Sequence, residues 1–171
     1  MMIRDAEVKD AANIARVHVE SWRTTYHGLV SDEFLSGLSI ESRKQMWTQT
    51  MEQLTADKCL LILEDPNGQV VGFAMGGPSR SAEYPGRAEL YALYLLEQAQ
   101  GQGFGRKLVQ AFARRMLESG FTSMLVWVLE GNGALHFYRR IGAEAIGNTE
   151  IAIGGERHTE IVLQWNDLKA I

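Results

Sequence analysis

The sequence has one cysteine, three prolines and no excess of basic residues. A single cysteine cannot close an internal disulfide, so the fold must hold by its core alone. Cys59 lies in the apolar run Cys59–Leu63 and reads as a buried strand thiol rather than a nucleophile, because no activating groups surround it in sequence. Lys and Arg number 17 against 21 Asp and Glu, a net charge of −4, which argues against a general nucleic-acid-binding surface. Apolar runs such as Met124–Leu129 fall far short of a membrane span. Met1–Asp10 is charged from its fourth residue and has no hydrophobic segment of the kind a secretory signal needs. A cytoplasmic protein without membrane or nucleic-acid partners is the expectation. His18, His27, His136 and His158 are scattered without ligand spacing, so no metal site is expected.

What is present suits one globular domain spanning residues 1–171. Met2–Ala6 opens as a short strand. Asp10 reads as the N-cap of a helix whose face carries Ala11, Ile14, Ala15, His18 and Trp22 and which Gly28 stops. Ser31 caps a short helical turn. Ser39 caps a longer helix with Ile40, Trp47, Met51 and Leu54 as its apolar face. Strands follow at Leu60–Glu64 and Val70–Met75 about the turn Asp65–Gly68, then a loop at Gly76–Arg87 and a strand at Ala88–Leu95. A helix at Phe104–Glu118 ends at Gly120. Met124–Leu129 is too apolar for a one-sided sheet and reads as a central strand. Ala134–Ile141 is a short helix, and Glu150–Ile153 with Thr159–Trp165 closes the chain as a hairpin about Gly154-Gly155. The order gives a mixed α/β fold, a central sheet with helices on both faces. The apolar last strand, taken as a sheet edge, suggests a homodimer.

The chemistry concentrates at Gln100-Gly101-Gln102-Gly103-Phe104-Gly105-Arg106-Lys107, where a strand feeds a glycine-rich loop that opens into a helix. Glycines let successive backbone N–H groups turn inward, and the first helical turn adds partial positive charge. Together they make an anion site. Arg106 and Lys107 oppose the helix dipole, a conflict that a bound phosphate would offset. A dinucleotide fingerprint fails because Arg106 stands where its third glycine belongs, and a P-loop fails because Leu108 follows Lys107.

The loop resembles the Q/R-x-x-G-x-G/A motif of the GNAT superfamily of N-acyltransferases. A second stretch, Asn132 to Ala143, is similar to that family's N-x-x-A-x-x-x-Y-x-x-x-G-F pattern. It departs in the spacing of Ala134 from Asn132 and in Ala143, which stands where an aromatic is common. The resemblance implies a splayed strand pair, Ala88–Leu95 and Met124–Leu129, with acetyl-CoA as acyl donor. It implies a diphosphate on Gln100, Gly101, Gln102, Gly103, Gly105 and Arg106, and a pantetheine arm along Leu93, Tyr94 and Leu95. Asn132, Phe137 and Tyr138 complete the donor site.

Transfer to a primary amine of a small molecule or peptide, by direct attack in a ternary complex, would be the reaction. A backbone N–H aimed at the thioester oxygen would stabilise the oxyanion by about 3–4 kcal/mol. An amine of pKa about 10 is only about one part in a thousand neutral at pH 7, so a base is useful. Glu89 is the sequence candidate for that base, and Tyr138 resembles the family's acid for the departing thiolate. Arg139 and Arg140 are either contacts to the ribose phosphate or surface residues. Trp22, Tyr26, His27, Glu33 and Tyr84 are the polar-aromatic residues available for an acceptor, and would suit a small cationic amine. A catalytically weak acyl-CoA-binding sensor of the same fold is the alternative.

Overall fold

The computed structural model describes residues 1–171. Seven strands form one open sheet in the order β1-β2-β3-β4-β5-β7-β6. They are β1 Met2–Asp5, β2 Cys59–Glu64, β3 Val70–Pro78, β4 Ala88–Leu95, β5 Met124–Leu129, β6 Glu144–Ile153 and β7 Glu156–Trp165. Only β4 and β5 run parallel. Five helices complete the fold: α1 Ala11–Thr25, α2 Asp32–Ser36, α3 Ile40–Glu52, α4 Phe104–Glu118 and α5 Ala134–Arg140.

The layers follow from strand alternation. Phe73 of β3 meets His18 of α1 and Trp47 of α3. Gly76, of opposite parity on the same strand, lies against the Phe112 ring of α4. The first three helices and α4 therefore cover opposite faces, which explains why β2 and β3 are buried almost throughout. A side chain at Gly76 would run into Phe112 and the Glu89 carbonyl, so this close approach requires glycine.

The ends of several elements differ from the sequence reading. β3 continues through Gly76-Gly77-Pro78, paired with Ala88, Glu89 and Leu90. The glycines there serve close packing, not a loop. The final hairpin is also longer, pairing from Glu144↔Gln164 to Ile153↔Glu156. Ser31 and Ser39 do cap α2 and α3, accepting from the N–H groups of Phe34 and Ser42. Asp10 does not cap α1: its carboxylate accepts from the Glu7 N–H at 2.8 Å and binds Arg4, which also reaches Glu64. That cluster fixes the start of the chain to β2. Ile40 is 41% exposed and lies outside the core, whereas Trp47 is buried. β7 is not an edge, because β6 lies outside it, so its apolar residues are covered within this chain and give no reason for a dimer.

One irregularity positions the site. The register between β3 and β4 shifts where Met75↔Ala92 gives way to Gly76↔Leu90, leaving Tyr91 as a bulge. The parallel pairing of β4 with β5 stops at the same place, at Leu90↔Val126. Beyond it the two strands diverge and leave their facing backbone groups without a partner strand.

Candidate active site

The divergence of β4 from β5 opens a cleft of about 590 Å³. Its walls are Leu90–Leu95 on one side and Val126–Val128 on the other. The glycine loop and, beside it, Asn132–Ala134, Phe137, Tyr138 and Arg140 complete the lining. Among the backbone hydrogen bonds, no N–H from Gly101 to Arg106 has an acceptor in the protein. Gly101 and Gly103 adopt positive φ, +70° and +81°, and a Cβ there would stand in open space. The result is a nest of free donors at the start of α4, whose first turn carries no acid.

Side chains brace this nest. The Gln100 amide donates to the Leu95 carbonyl at 2.9 Å, tying the loop to the end of β4. Gly105 passes close under the Phe137 ring, where a Cβ would approach to 3.3 Å. Asn132 is buried, and its side-chain oxygen accepts from the Ala134 N–H at 2.9 Å, which orders the entrance to α5 and leaves the amide NH2 free. Its donor is therefore available to the cleft it lines. Tyr138 is 5% exposed, edge-on to Trp165, and its hydroxyl makes no hydrogen bond in the protein although it borders the cleft. Burial, with Tyr26 nearby, pushes this phenol well above its ordinary range, so it is held protonated.

A second cavity of about 560 Å³ adjoins the first on the α1 side of the sheet. Both share Tyr26, Leu90, Tyr91, Tyr94 and Trp127 as walls. Trp22 lines the second cavity, and its buried indole N–H has no partner. The Tyr26 and Tyr94 hydroxyls stand 3.4 Å apart. Glu89 is 1% exposed, and both its oxygens are engaged. Oε2 accepts from the Arg80 backbone N–H at 2.7 Å, and Oε1 from the Arg80 guanidinium at 2.5 and 3.0 Å. That guanidinium also lies over the Tyr91 ring.

A nest of free amides after a splayed parallel strand, with a protonated tyrosine on the cleft wall and a second cavity adjoining, fits an acyl-CoA donor meeting an acceptor. The comparisons decide the family. The Acetyltransferase (GNAT) family model matches residues 19–143. The chain belongs to the GNAT acetyltransferase family. It is 39% identical over 169 residues to a Bacillus subtilis protein named uncharacterized N-acetyltransferase YuaI, covering 99% of this chain and 95% of that one. It is 29% identical over 147 residues to the L-methionine sulfoximine/L-methionine sulfone acetyltransferase of Pseudomonas aeruginosa, covering 85% and 81%. Among solved structures, the PaiA N-acetyltransferase of Thermoplasma acidophilum in complex with coenzyme A superposes with a TM-score of 0.73 at 21% identity, covering 95% and 96%. This GNAT protein is therefore an N-acetyltransferase with an acetyl-CoA-binding fold.

Of the residues singled out in this GNAT sequence, Leu93, Tyr94, Leu95, Gln100, Gly101, Gly103, Gly105, Arg106, Asn132, Phe137 and Tyr138 all line the first cavity. Gln102 does not: its side chain turns back to the Gln98 carbonyl. Arg140 faces the cleft and Arg139 does not. Glu89, Trp22 and Tyr26 line the second cavity. Glu33 is exposed on α2 and lies outside both cavities. Tyr84 packs edge-on against Trp127 instead of lining either one. Sequence reasoning missed Arg80, Trp127 and Glu160, which the fold brings to the second cavity.

Proposed function

We propose that this enzyme transfers an acetyl group from acetyl-CoA directly to the primary amine of a small molecule or peptide, with both substrates bound at once. The observation that carries this reading is the shared wall: a donor cleft and an acceptor cavity meet at Tyr26, Leu90, Tyr91, Tyr94 and Trp127. Direct attack needs no enzyme nucleophile. Cys59 supports that, since burial pushes its thiol up to about 12 and it lines neither cavity. The single sheet, with strands from Met2 to Trp165, supports reading the chain as one domain.

In this reading, the free N–H groups of Gly101–Arg106 hold the diphosphate and the unpaired edge of β4 takes the pantetheine amides as a pseudo-strand. The amine nitrogen attacks the thioester carbonyl, and the Tyr138 hydroxyl gives its proton to the sulfur as the C–S bond breaks. The acceptor cavity combines aromatic walls with Glu89, Glu160 and Arg80, which suits an ammonium group. The Pseudomonas relative is named for amino acids, L-methionine sulfoximine and sulfone, so zwitterionic amines belong in the acceptor set.

The test is a coenzyme A release screen over amino acids, polyamines, aromatic amines and short peptides, followed by initial rates at varied concentrations of both substrates. Intersecting double-reciprocal lines are expected. Parallel lines would indicate an acetyl-enzyme and overturn direct transfer. Acetyl-CoA binding without transfer to any amine would favour a sensor.

A further inference from the structure

We propose that Glu160, not Glu89, takes the proton from the acceptor ammonium, and that Arg80 and Glu89 form a fixed pair that positions the acceptor. The assignment rests on the transferase reading above and names the base within that site.

Glu160 lies on β7 between Leu129 of β5 and Thr149 of β6, its partners in register. Residues paired across strands share a face, and all three line the acceptor cavity. Among the side-chain hydrogen bonds and ion pairs of the molecule, none involves the Glu160 carboxylate, while the same cavity's other carboxylate has both oxygens engaged by Arg80. A base must offer an open lone pair to the incoming proton. Protonating Glu89 would weaken the charge-assisted bonds that its buried carboxylate accepts from the Arg80 backbone N–H and guanidinium. Glu160 has no such bond to lose.

The surroundings tune Glu160 in the same direction. Burial raises its proton affinity, Arg80 opposes this and Glu89 adds to it. The other titratable groups in the cavity are Tyr26 beyond α1, and Tyr91 and Tyr94 on β4; β5 and β6 contribute only Trp127, Leu129, Thr149, Ile151 and Ile153. A carboxylate raised in this way is a better proton acceptor near neutral pH than an exposed one.

An N–H bond of the ammonium breaks and its proton passes to a Glu160 oxygen. The freed nitrogen lone pair forms the N–C bond at the thioester carbonyl. Collapse breaks the C–S bond, and the sulfur takes the Tyr138 proton. The second proton lost by the nitrogen restores Tyr138, and Glu160 releases its proton to solvent. Ammonium and acetyl-CoA thus yield amide, coenzyme A and one proton.

The test uses the fastest acceptor from the amine screen. Glu160→Gln should lower kcat by about 100-fold or more. It should also flatten the acidic limb of the kcat/KM–pH profile and leave the acetyl-CoA Kd by calorimetry unchanged. Glu160→Asp should restore the limb in part. Glu89→Gln should raise the acceptor KM while keeping the limb. Folding is controlled by melting: removing a carboxylate whose charged form is disfavoured in the folded protein should raise the Tm of Glu160→Gln at neutral pH, with the gain fading as pH falls and Glu160 becomes protonated. An acidic limb retained in Glu160→Gln, or lost in Glu89→Gln, overturns the assignment while the transferase reading stands. A wild-type protein that acetylates no amine sinks both.

Discussion

Tyr94 lies flat on His18, with ring centroids 5.5 Å apart and planes 11° from parallel. The imidazole is in turn fixed by Trp47, whose indole N–H donates to Nδ1 at 3.1 Å. A wall common to both cavities is therefore held by the core, through a histidine that must stay neutral to keep its acceptor nitrogen.

Stability should fall with acidification because of that histidine. Burial, aided by Arg43, holds the His18 imidazole down to about 4, against about 6.5 in an unfolded chain. Between those values the unfolded chain binds more protons, so the folded state loses stability as pH drops through the interval, by up to about 3 kcal/mol, and no further below it. Urea titrations at pH 7 and pH 4.5 should give a larger difference for wild type than for His18→Gln. Equal differences would show that the imidazole does not titrate this way.

Tyr138→Phe keeps the ring against Trp165 and removes only a hydroxyl with no partner in the protein. Turnover should fall by about 100-fold with nearly unchanged acetyl-CoA affinity, since no folded-state bond is lost. Steady-state rates with calorimetry check this. An unchanged kcat would remove Tyr138 from the reaction.

Gly103→Ala tests the nest. Its φ of +81° carries a penalty of about 1–2 kcal/mol for alanine, and the new methyl would enter the open space where the diphosphate is proposed to lie. The Tm should fall by several degrees and the acetyl-CoA Kd should rise at least tenfold. Gly68→Ala is the control: it has the same sign of φ and the same open space, in a turn far from the cleft. It should show the thermal loss with no change in Kd.

Local chemistry made much of this legible. The glycine loop was readable because amide nests depend on consecutive residues and on glycine's freedom at positive φ. Ser31 and Ser39 were readable because capping spans only three residues. Asp10 misled because its carboxylate is claimed by Arg4, which the β1–β2 pairing brings close to Glu64 as well. Glu160 left almost no signal. It shares a strand face with Glu156 and His158 on β7, a polar pattern that reads as solvent-facing.

The sequence by itself determined the order of elements, the glycine-rich loop that opens α4 and the family, since each rests on residues close together in the chain. Tertiary structure alone decided the acceptor side. In a regular strand Glu89 and Tyr94, five residues apart, would point to opposite faces. The Tyr91 bulge adds one residue to β4, so both line the same cavity, opposite Glu160 from a strand brought in by the final hairpin. Such a convergence depends on register and bulges set by packing across the sheet, and no local pattern of residues encodes it.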